Sequence, residues 1–480
     1  MKRRQLLQLL ASSSLGYPLL SRAQTDVPAL VHLIEQTPRD QLTEKIVVLI
    51  RQGLGRDALL WAIQLAGMRQ IQPRPVGFKF HAVMMVDAAR QLAQGDSGPG
   101  GWVPILWNLD YFKFSQQRNI AAGGWQLHSF NGAVPAADES MQLFTQGLQQ
   151  RDELKVDAAA VAVSRQHGLH QLFEPLAHYA VRDFHSIGHK SIYLCHSWRQ
   201  LQRAGGRQAD WVCRALAYAL IADGNVAAQD AHWTRLDYAA NVRRAALLPL
   251  SALRAGTAPA VTGELVQLLG QASADECCDA VVGWLQQAPV QAVWDGIFLA
   301  AAERVLQQPT IPMLHCVTVS HAMAWLWRQS ADSANRNLLL LQAVAYLARM
   351  REQRWAGQPA GVVLGDLVAD PQPLSAAERR ERIGQQLGQP GKQSQLQLMA
   401  YPYSTEGAAL RNDLLRLLRR KSNQAHDFKY GAAVLEVMDW LSPSYWPVWL
   451  AATSVLLPGA MKPDSTEASQ IEHWLATSEV

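Results

Sequence analysis

The stretch LAAAERVLQQPTIPMLHCV, residues 299–317, predicts a helix, a proline break and a second helix that contains His315. Its apolar residues recur at spacings of three and four, as they do along one face of an α-helix. The earlier stretch LAGMRQIQPRPVGFKFHAV, residues 65–83, aligns with it without a gap and shares Leu, Ala, Pro, His and Val. We interpret the two stretches as a degenerate helical repeat that places His81 and His315 at equivalent positions near a shared axis.

Helical spacing extends over most of the chain. It recurs, for example, in segments 58–68, 141–148, 211–222, 294–306, 338–350 and 432–441. No run of Val, Ile and Thr alternates with polar residues between turn signals, so strands are not predicted. We predict an all-α fold, a multi-helix domain with degenerate helical repeats around a histidine-lined centre.

The first 23 residues have the three parts of a secretory signal. Positions 2–4 are basic, positions 6–20 form a short apolar core, and Ser21-Arg22-Ala23 is a small-x-small exit with cleavage expected after Ala23. The pair Arg3-Arg4 before Gln-Leu-Leu is similar to the twin-arginine motif, which predicts a periplasmic or secreted protein. The alternative, a retained anchor, is disfavoured because the apolar core is shorter than the ~20 residues that a membrane span needs. No later stretch predicts an integral membrane span.

Residues 24–480 are predicted to form a single large helical domain. An alternative division has two pseudo-repeats, about 55–200 and 285–450, with a polar linker near 351–395. The net charge of +4 includes the basic residues at 2–4, so the mature chain is nearly neutral and lacks the electrostatic footprint of a nucleic-acid-binding protein. The five cysteines contain no C-x-x-C pair, which disfavours a structural zinc site and a thioredoxin-like site.

One segment predicts a stripe of histidines along a helix. Four of them lie at relative positions 0, 7, 11 and 18: His178, His185, His189 and His196. His185 and His189 have the i, i+4 spacing with which two imidazoles reach one metal ion, although Gly188 is a point where the helix can kink. Asp183 and Asp427 are candidate carboxylates behind the imidazoles. The alternative is that each histidine is an ordinary packing residue.

Charged residues near the histidines are candidates for catalysis. Lys79, Lys190 and Lys429 each lie within a turn of a histidine, where a lysine can hold an anionic substrate or transfer a proton. Arg182 supplies further positive charge, and Glu303 is a candidate acid/base or metal ligand. The alternative for each lysine is an amine that extends from a helix end to solvent.

Four short motifs resemble the questin oxidase-like family. They are Ala301-Ala302-Glu303, Met313-Leu314-His315-Cys316-Val317-Thr318, Ala322-Met323 and His426-Asp427-Phe428-Lys429. The resemblance implies a mostly helical oxidoreductase, whose named member performs an oxygen-inserting, ring-opening oxidation of an aromatic polyketide. It points to His315 and His426 first, and then to His81 and His189. The export signal and the block from His185 to Lys190 depart from the family pattern, and a soluble nicotinamide donor is not expected outside the cytoplasm.

These observations predict an exported, metal-dependent, oxygenase-like oxidoreductase that acts on a small organic substrate. Five histidines would converge on a central pocket as metal ligands: His81, His185, His189, His315 and His426. Iron or copper is the expected metal, with zinc as a further candidate, because imidazole binds all three. Two other hypotheses stay open: a zinc-type hydrolase or lyase with the same ligands, and a non-catalytic helical-repeat binding protein.

Overall fold

The structure is a computed structural model that describes residues 26–222, 232–248, 256–353, 361–370, 372–388 and 393–476. Within these ranges the regular structure is helical and no strand is present, which confirms the all-α prediction. The predicted signal at residues 1–23 lies outside the described residues. Among the described helices, none combines the length and the apolar character that crossing a membrane requires.

The helices follow one another along the chain. Their bounds are α1 Val27–Gln36, α2 Arg39–Arg51, α3 Arg56–Gln70, α4 His81–Met84, α5 Val86–Ala93, α6 Val103–Ala121, α7 Ala137–Gln150, α8 Glu153–Gln166, α9 Leu169–Ala180, α10 His185–Arg203, α11 Ala209–Leu220, α12 Tyr238–Leu247, α13 Pro259–Gln271, α14 Ala274–Trp284, α15 Val290–Gln307, α16 Ile311–Gln329, α17 Ser333–Glu352, α18 Ala376–Gln386, α19 Gln393–Met399, α20 Tyr403–Lys421, α21 Ala425–Val437, α22 Trp446–Thr453 and α23 Thr466–Ala476. Short 3₁₀ turns, such as Phe78–Phe80, lie between some of them.

Helix α16 lies at the centre of the fold and packs against α10, α15, α17 and α21. Its residues from Met313 to Leu326 are buried without interruption. A helix that is apolar on every side has no solvent face, so its neighbours must cover it completely. His315, in the second turn of α16, is therefore held in the interior.

Local chemistry explains where several helices begin. Pro312 lies in the first turn of α16, where a proline has no helical hydrogen bond to lose. At the start of α14, Ser273 and Glu276 cap each other's backbone N–H groups, and Ser375 and Glu378 do the same for α18.

Both copies of the predicted repeat have the expected order of helix, break and histidine-containing helix. In the second copy α15 ends at Gln307 and α16 begins at Ile311, so the break is short. In the first copy α3 ends at Gln70, and a longer connection leads to α4, whose first residue is His81. His81 and His315 therefore follow connections of different length.

Part of the predicted polar linker at 351–395 is folded. Helix α18 lies within it and packs against α19 and α20. Ile383 and Leu387 are buried there, so this part of the segment contributes to the hydrophobic core.

A buried network of ion pairs joins α5, α10 and α21. Asp87 is fully buried and is paired with Arg90, Arg199 and Arg203 at 3.1, 2.9 and 3.2 Å. Arg199 also donates two hydrogen bonds of 2.8 and 2.7 Å to Glu436. Burial opposes ionisation of Asp87, but the three guanidinium groups outweigh it and hold the pKa of this carboxyl well below its usual range.

Candidate metal centre

Four imidazoles from four helices meet in the interior. His81 begins α4, and His189, His315 and His426 belong to α10, α16 and α21. Their potential ligand nitrogens all lie within 4.8 Å of one another. His189 Nε2 is 2.9 Å from His81 Nε2 and 3.0 Å from His315 Nε2. We call these four residues the histidine cluster; they confirm a histidine-lined centre and are four of the five predicted ligands.

The fifth predicted ligand, His185, lies outside the cluster because the backbone between it and His189 is not helical. Ser186, Ile187 and Gly188 have left-handed φ angles of 51°, 53° and 84°. This turn separates two side chains that a regular helix would place on one face. The His185 ring instead contacts Thr234 Oγ1 and Arg235 Nε, each at 3.2 Å.

The single stripe of four histidines predicted from the sequence is therefore wrong. His178 lies on α9, where its ring nitrogens are 2.9 Å from Asn335 Oδ1 and 2.6 Å from the Tyr238 hydroxyl. His196 follows the left-handed turn on α10, and its Nδ1 is hydrogen-bonded to the carbonyl oxygen of Met84. Both rings have structural partners of their own, as the alternative interpretation expected.

Backbone groups set the orientation of two rings in the cluster. His315 Nδ1 donates to the carbonyl oxygen of Ile311 at 2.7 Å, and His189 Nδ1 donates to that of Ser186. A proton on Nδ1 leaves Nε2 with a lone pair in the neutral imidazole, which is the form that binds a metal. The backbone of Gly77 packs on the His189 ring so closely that a Cβ atom there would lie 3.2 Å from Cε1.

The cluster is neutral near pH 7. Burial and the positive charge of Lys429 lower the pKa of His315 to about 3 and that of His426 to about 2. Burial, Lys429 and the neighbouring imidazoles lower the pKa of His81 and His189 well below the usual value. Neutral imidazoles are the state that metal binding requires, so no ligand has to lose a proton first.

Of the predicted catalytic residues, Lys429 has the clearest connection to the cluster. It lies on the same helix as His426, and its charge acts on all four imidazoles. Its side chain is 2 % exposed, and its Nζ has no hydrogen-bond partner among the described residues. Burial lowers the pKa of Lys429 to about 7. An unpaired buried amine costs stability, which a protein tolerates most readily where the group has a function.

We expect Lys429→Met to stabilise the metal-free protein. The unfolded chain keeps a lysine pKa near 10.4, whereas the folded value is about 7, so the unfolded state binds the extra proton between these values. Removing the amine should raise the free energy of unfolding at pH 7 by roughly 2–4 kcal/mol, and the gain should shrink as the pH rises toward 10. Urea denaturation at several pH values measures both effects.

Lys113→Met is the matched control for that measurement. Lys113 is also buried, but its Nζ donates to the carbonyl oxygens of Ile34 and Glu35 and to Gln116 Oε1. This variant should lose roughly 1–3 kcal/mol because the acceptors are left unsatisfied. A Lys429→Met protein that is less stable than the wild type would contradict the interpretation of Lys429 as an unpaired buried amine.

Two other predicted catalytic residues, Lys190 and Arg182, have structural partners. Lys190 Nζ is 2.8 Å from Asp183 Oδ2 and also donates to the carbonyl oxygens of Leu220 and Ala222. Arg182 donates to the carbonyl oxygens of Leu148 and Leu220. Both residues hold the ends of helices together beside the left-handed turn.

Lys79 and Glu303 are not among the four residues of the cluster. Lys79 is half-buried on the 3₁₀ turn before His81, and burial together with the charge of Arg118 lowers its pKa. Glu303 accepts a hydrogen bond of 3.1 Å from the backbone N–H of Leu364. Asp183 and Asp427, the predicted carboxylates behind the imidazoles, are paired with Lys190 and Lys462 instead.

Sequence reasoning missed the groups that orient the imidazoles. They are the carbonyl oxygens of Ser186 and Ile311, and the Tyr346 hydroxyl, which donates to the carbonyl oxygen of Ile187 at 3.0 Å. Main-chain carbonyls carry no side-chain signal, and Tyr346 is distant in sequence. The single available signal was Gly188, which marked the place where the helix departs from regular geometry.

Similarity to known proteins does not assign a function to the histidine cluster. The resemblance to the questin oxidase-like family rests on short motifs around His315 and His426 and stays a prediction. No protein-family model matches the chain, and no curated protein or solved structure is significantly similar to it.

Proposed function

We propose that the protein is a metal-dependent oxidoreductase, oxygenase-like, in which the histidine cluster holds one redox-active ion, iron or copper. The substrate is a small organic molecule that reaches the cluster on the side of His426, the one residue of the four that is only partly buried. A bound iron or copper ion would supply the electron-transfer chemistry. The residues of the chain bind the ion, orient the substrate and hold or move protons.

One observation carries the proposal. His189 and His315 each donate their Nδ1 proton to a backbone carbonyl, so in the neutral rings both Nε2 atoms have lone pairs. These two lone pairs face each other across 3.0 Å, in a place where burial keeps both rings uncharged. Two lone pairs at that distance repel unless a cation lies between or beside them, and a metal ion is the cation that imidazoles bind.

Iron and copper are the ions that we propose because both bind imidazole and both change oxidation state. Zinc binds the same ligands but has no redox chemistry, so it would fit the hydrolase or lyase hypothesis instead.

Lys429 supplies a proton or a positive charge beside the ion. Because burial brings its pKa to about 7, its Nζ exchanges a proton near neutral pH. In its charged form it would bind an anionic group of the substrate, since no described residue offers it a counter-charge. His426, one turn before it on α21, would hold the ion within reach of the same group.

Elemental analysis of the purified mature protein tests the proposal. We expect one equivalent of iron or copper per chain, and its signal in electron paramagnetic resonance should change reversibly on reduction with ascorbate and reoxidation in air. His315→Ala should lower the metal content to below a tenth of the wild-type value, because one ligand is lost and His189 Nε2 loses the neighbouring nitrogen 3.0 Å away. His185→Ala is the matched control, and it should keep the metal.

Two other results of the elemental analysis would favour the two remaining hypotheses. Zinc as the only bound metal would favour the hydrolase or lyase. Protein that holds no metal after reconstitution, and whose stability is unaffected by chelators, would support the non-catalytic binding protein.

A further inference from the structure

The backbone immediately before His189 adopts a conformation that its residues rarely take. Ser186, Ile187 and Gly188 lie successively in the left-handed region, with φ angles of 51°, 53° and 84°. Glycine enters this region freely, but a β-branched residue such as Ile187 is an outlier there. A conformation of this kind persists only where the surroundings hold it, and such places concentrate at functional sites.

Tyr346 on α17 holds the middle of this turn. It is fully buried, and its hydroxyl donates a hydrogen bond of 3.0 Å to the carbonyl oxygen of Ile187. Its ring also closes the space beside the turn, since a Cβ atom on Gly188 would lie 3.3 Å from Tyr346 Cε2 and 2.8 Å from Val319 Cγ2.

Further contacts fix the two ends of the turn. The Ser191 hydroxyl donates to the carbonyl oxygen of Gly188 at 2.9 Å. The buried ion pair between Asp183 and Lys190, at 2.8 Å, spans the turn from one side to the other. The turn is therefore held at its beginning, middle and end.

The left-handed turn determines which groups the His189 ring contacts. It presents the carbonyl oxygen of Ser186 to His189 Nδ1, which directs Nε2 toward His81 and His315. Without the turn, a regular helix would place His185 and His189 on one face, and the carbonyl oxygen of Ser186 would point along the helix axis.

We propose that Tyr346 is a positioning residue for the metal centre: through the carbonyl of Ile187 it keeps His189 in the orientation that binds the ion. This inference rests on the proposed function, because it requires a metal in the histidine cluster. It assigns a role to a residue that contacts none of the four ligand nitrogens. Loss of its hydroxyl should weaken metal binding without removing a ligand.

Titration of the full-length mature protein with Cu²⁺ tests the inference. Tyr346→Phe should weaken Cu²⁺ binding by about 10- to 100-fold, as the loss of groups behind metal ligands does elsewhere. Its electron paramagnetic resonance spectrum should show weaker nitrogen coupling than that of the wild type. Ser191→Ala, which loosens the same turn from its far end, should change the spectrum in the same direction.

Tyr403→Phe is the matched control, because the Tyr403 hydroxyl also donates to a backbone carbonyl, that of Leu398, at 2.9 Å. It should bind Cu²⁺ as the wild type does. Equal affinity and equal spectra for Tyr346→Phe and wild type would overturn the positioning role alone, as would an equal loss in Tyr403→Phe. A wild-type protein that binds neither Cu²⁺ nor Fe²⁺ at the cluster would overturn the proposed function and this inference together.

Discussion

Metal-free protein is expected to lose stability steeply as the pH falls from about 6.5 to about 4.5. The imidazoles of the unfolded chain take up protons below about pH 6.5. The folded cluster does not, since the pKa values of His315 and His426 lie at about 3 and 2, and those of His81 and His189 are also strongly lowered. The unfolded state therefore binds more protons throughout this window, and acid favours it.

The expected effect is large because four protons act together. Each contributes about 1.4 kcal/mol per pH unit, so the cluster lowers the free energy of unfolding by roughly 5 kcal/mol for each unit of acidification. Urea denaturation in the presence of a chelator, at closely spaced pH values, measures this slope. In His426→Leu the slope should fall by about 1.4 kcal/mol per pH unit.

Bound metal should move the transition to lower pH, because protons must then displace the ion before they reach the ligands. The same titration with and without metal gives the size of that displacement. A metal-free slope that corresponds to one proton or fewer between pH 6.5 and 4.5 would show that the four rings are not buried as neutral groups.

The second large effect concerns the ion network that joins α5, α10 and α21. Asp87→Ala should lower the free energy of unfolding by about 3–5 kcal/mol, because the buried arginines Arg90 and Arg199 and the more exposed Arg203 lose their shared carboxylate. The loss should be present at neutral pH. It should diminish only at strongly acidic pH, since the wild-type carboxylate, with its lowered pKa, stays ionised until then.

Asp110→Ala is the control for the network. Asp110 forms a two-pronged ion pair with Arg39 at 2.8 and 2.6 Å, but both side chains are more than 30 % exposed. Water replaces such a partner at little cost, so the expected loss is at most about 1 kcal/mol. Thermal or urea denaturation compares the two variants, and equal losses would contradict the role of burial.

The fold was largely predictable because it depends on local patterns. The apolar residues of α16 and α17 recur at helical spacing, and Pro309 and Pro312 mark where one helix ends and the next begins. The alignment of residues 65–83 with 299–317 also predicted correctly that His81 and His315 lie together, although the connections before them differ in length. Patterns of this kind need no knowledge of the rest of the chain.

The site was predictable only as far as residue types and spacing determine it. His189 and His426 were identified, but the i, i+4 rule also selected His185, because it assumes a regular helix. The helix is interrupted at residues 186–188, and the Tyr346 hydroxyl that contacts this interruption belongs to α17, which is distant in sequence. The partners of Lys190 and Arg182 are backbone carbonyls of other helices, which the sequence pattern does not display.

The four imidazoles of the histidine cluster come from positions 81, 189, 315 and 426, so most of the chain must be folded before all four are brought together. No short fragment and no early folding intermediate can compete for an ion with this set of ligands. Under the proposed function, the identity of the metal would then be decided in the compartment where folding is completed. For a chain that is exported already folded, as the pair Arg3-Arg4 predicts, that choice would follow the metal supply of the cytoplasm and not that of the destination.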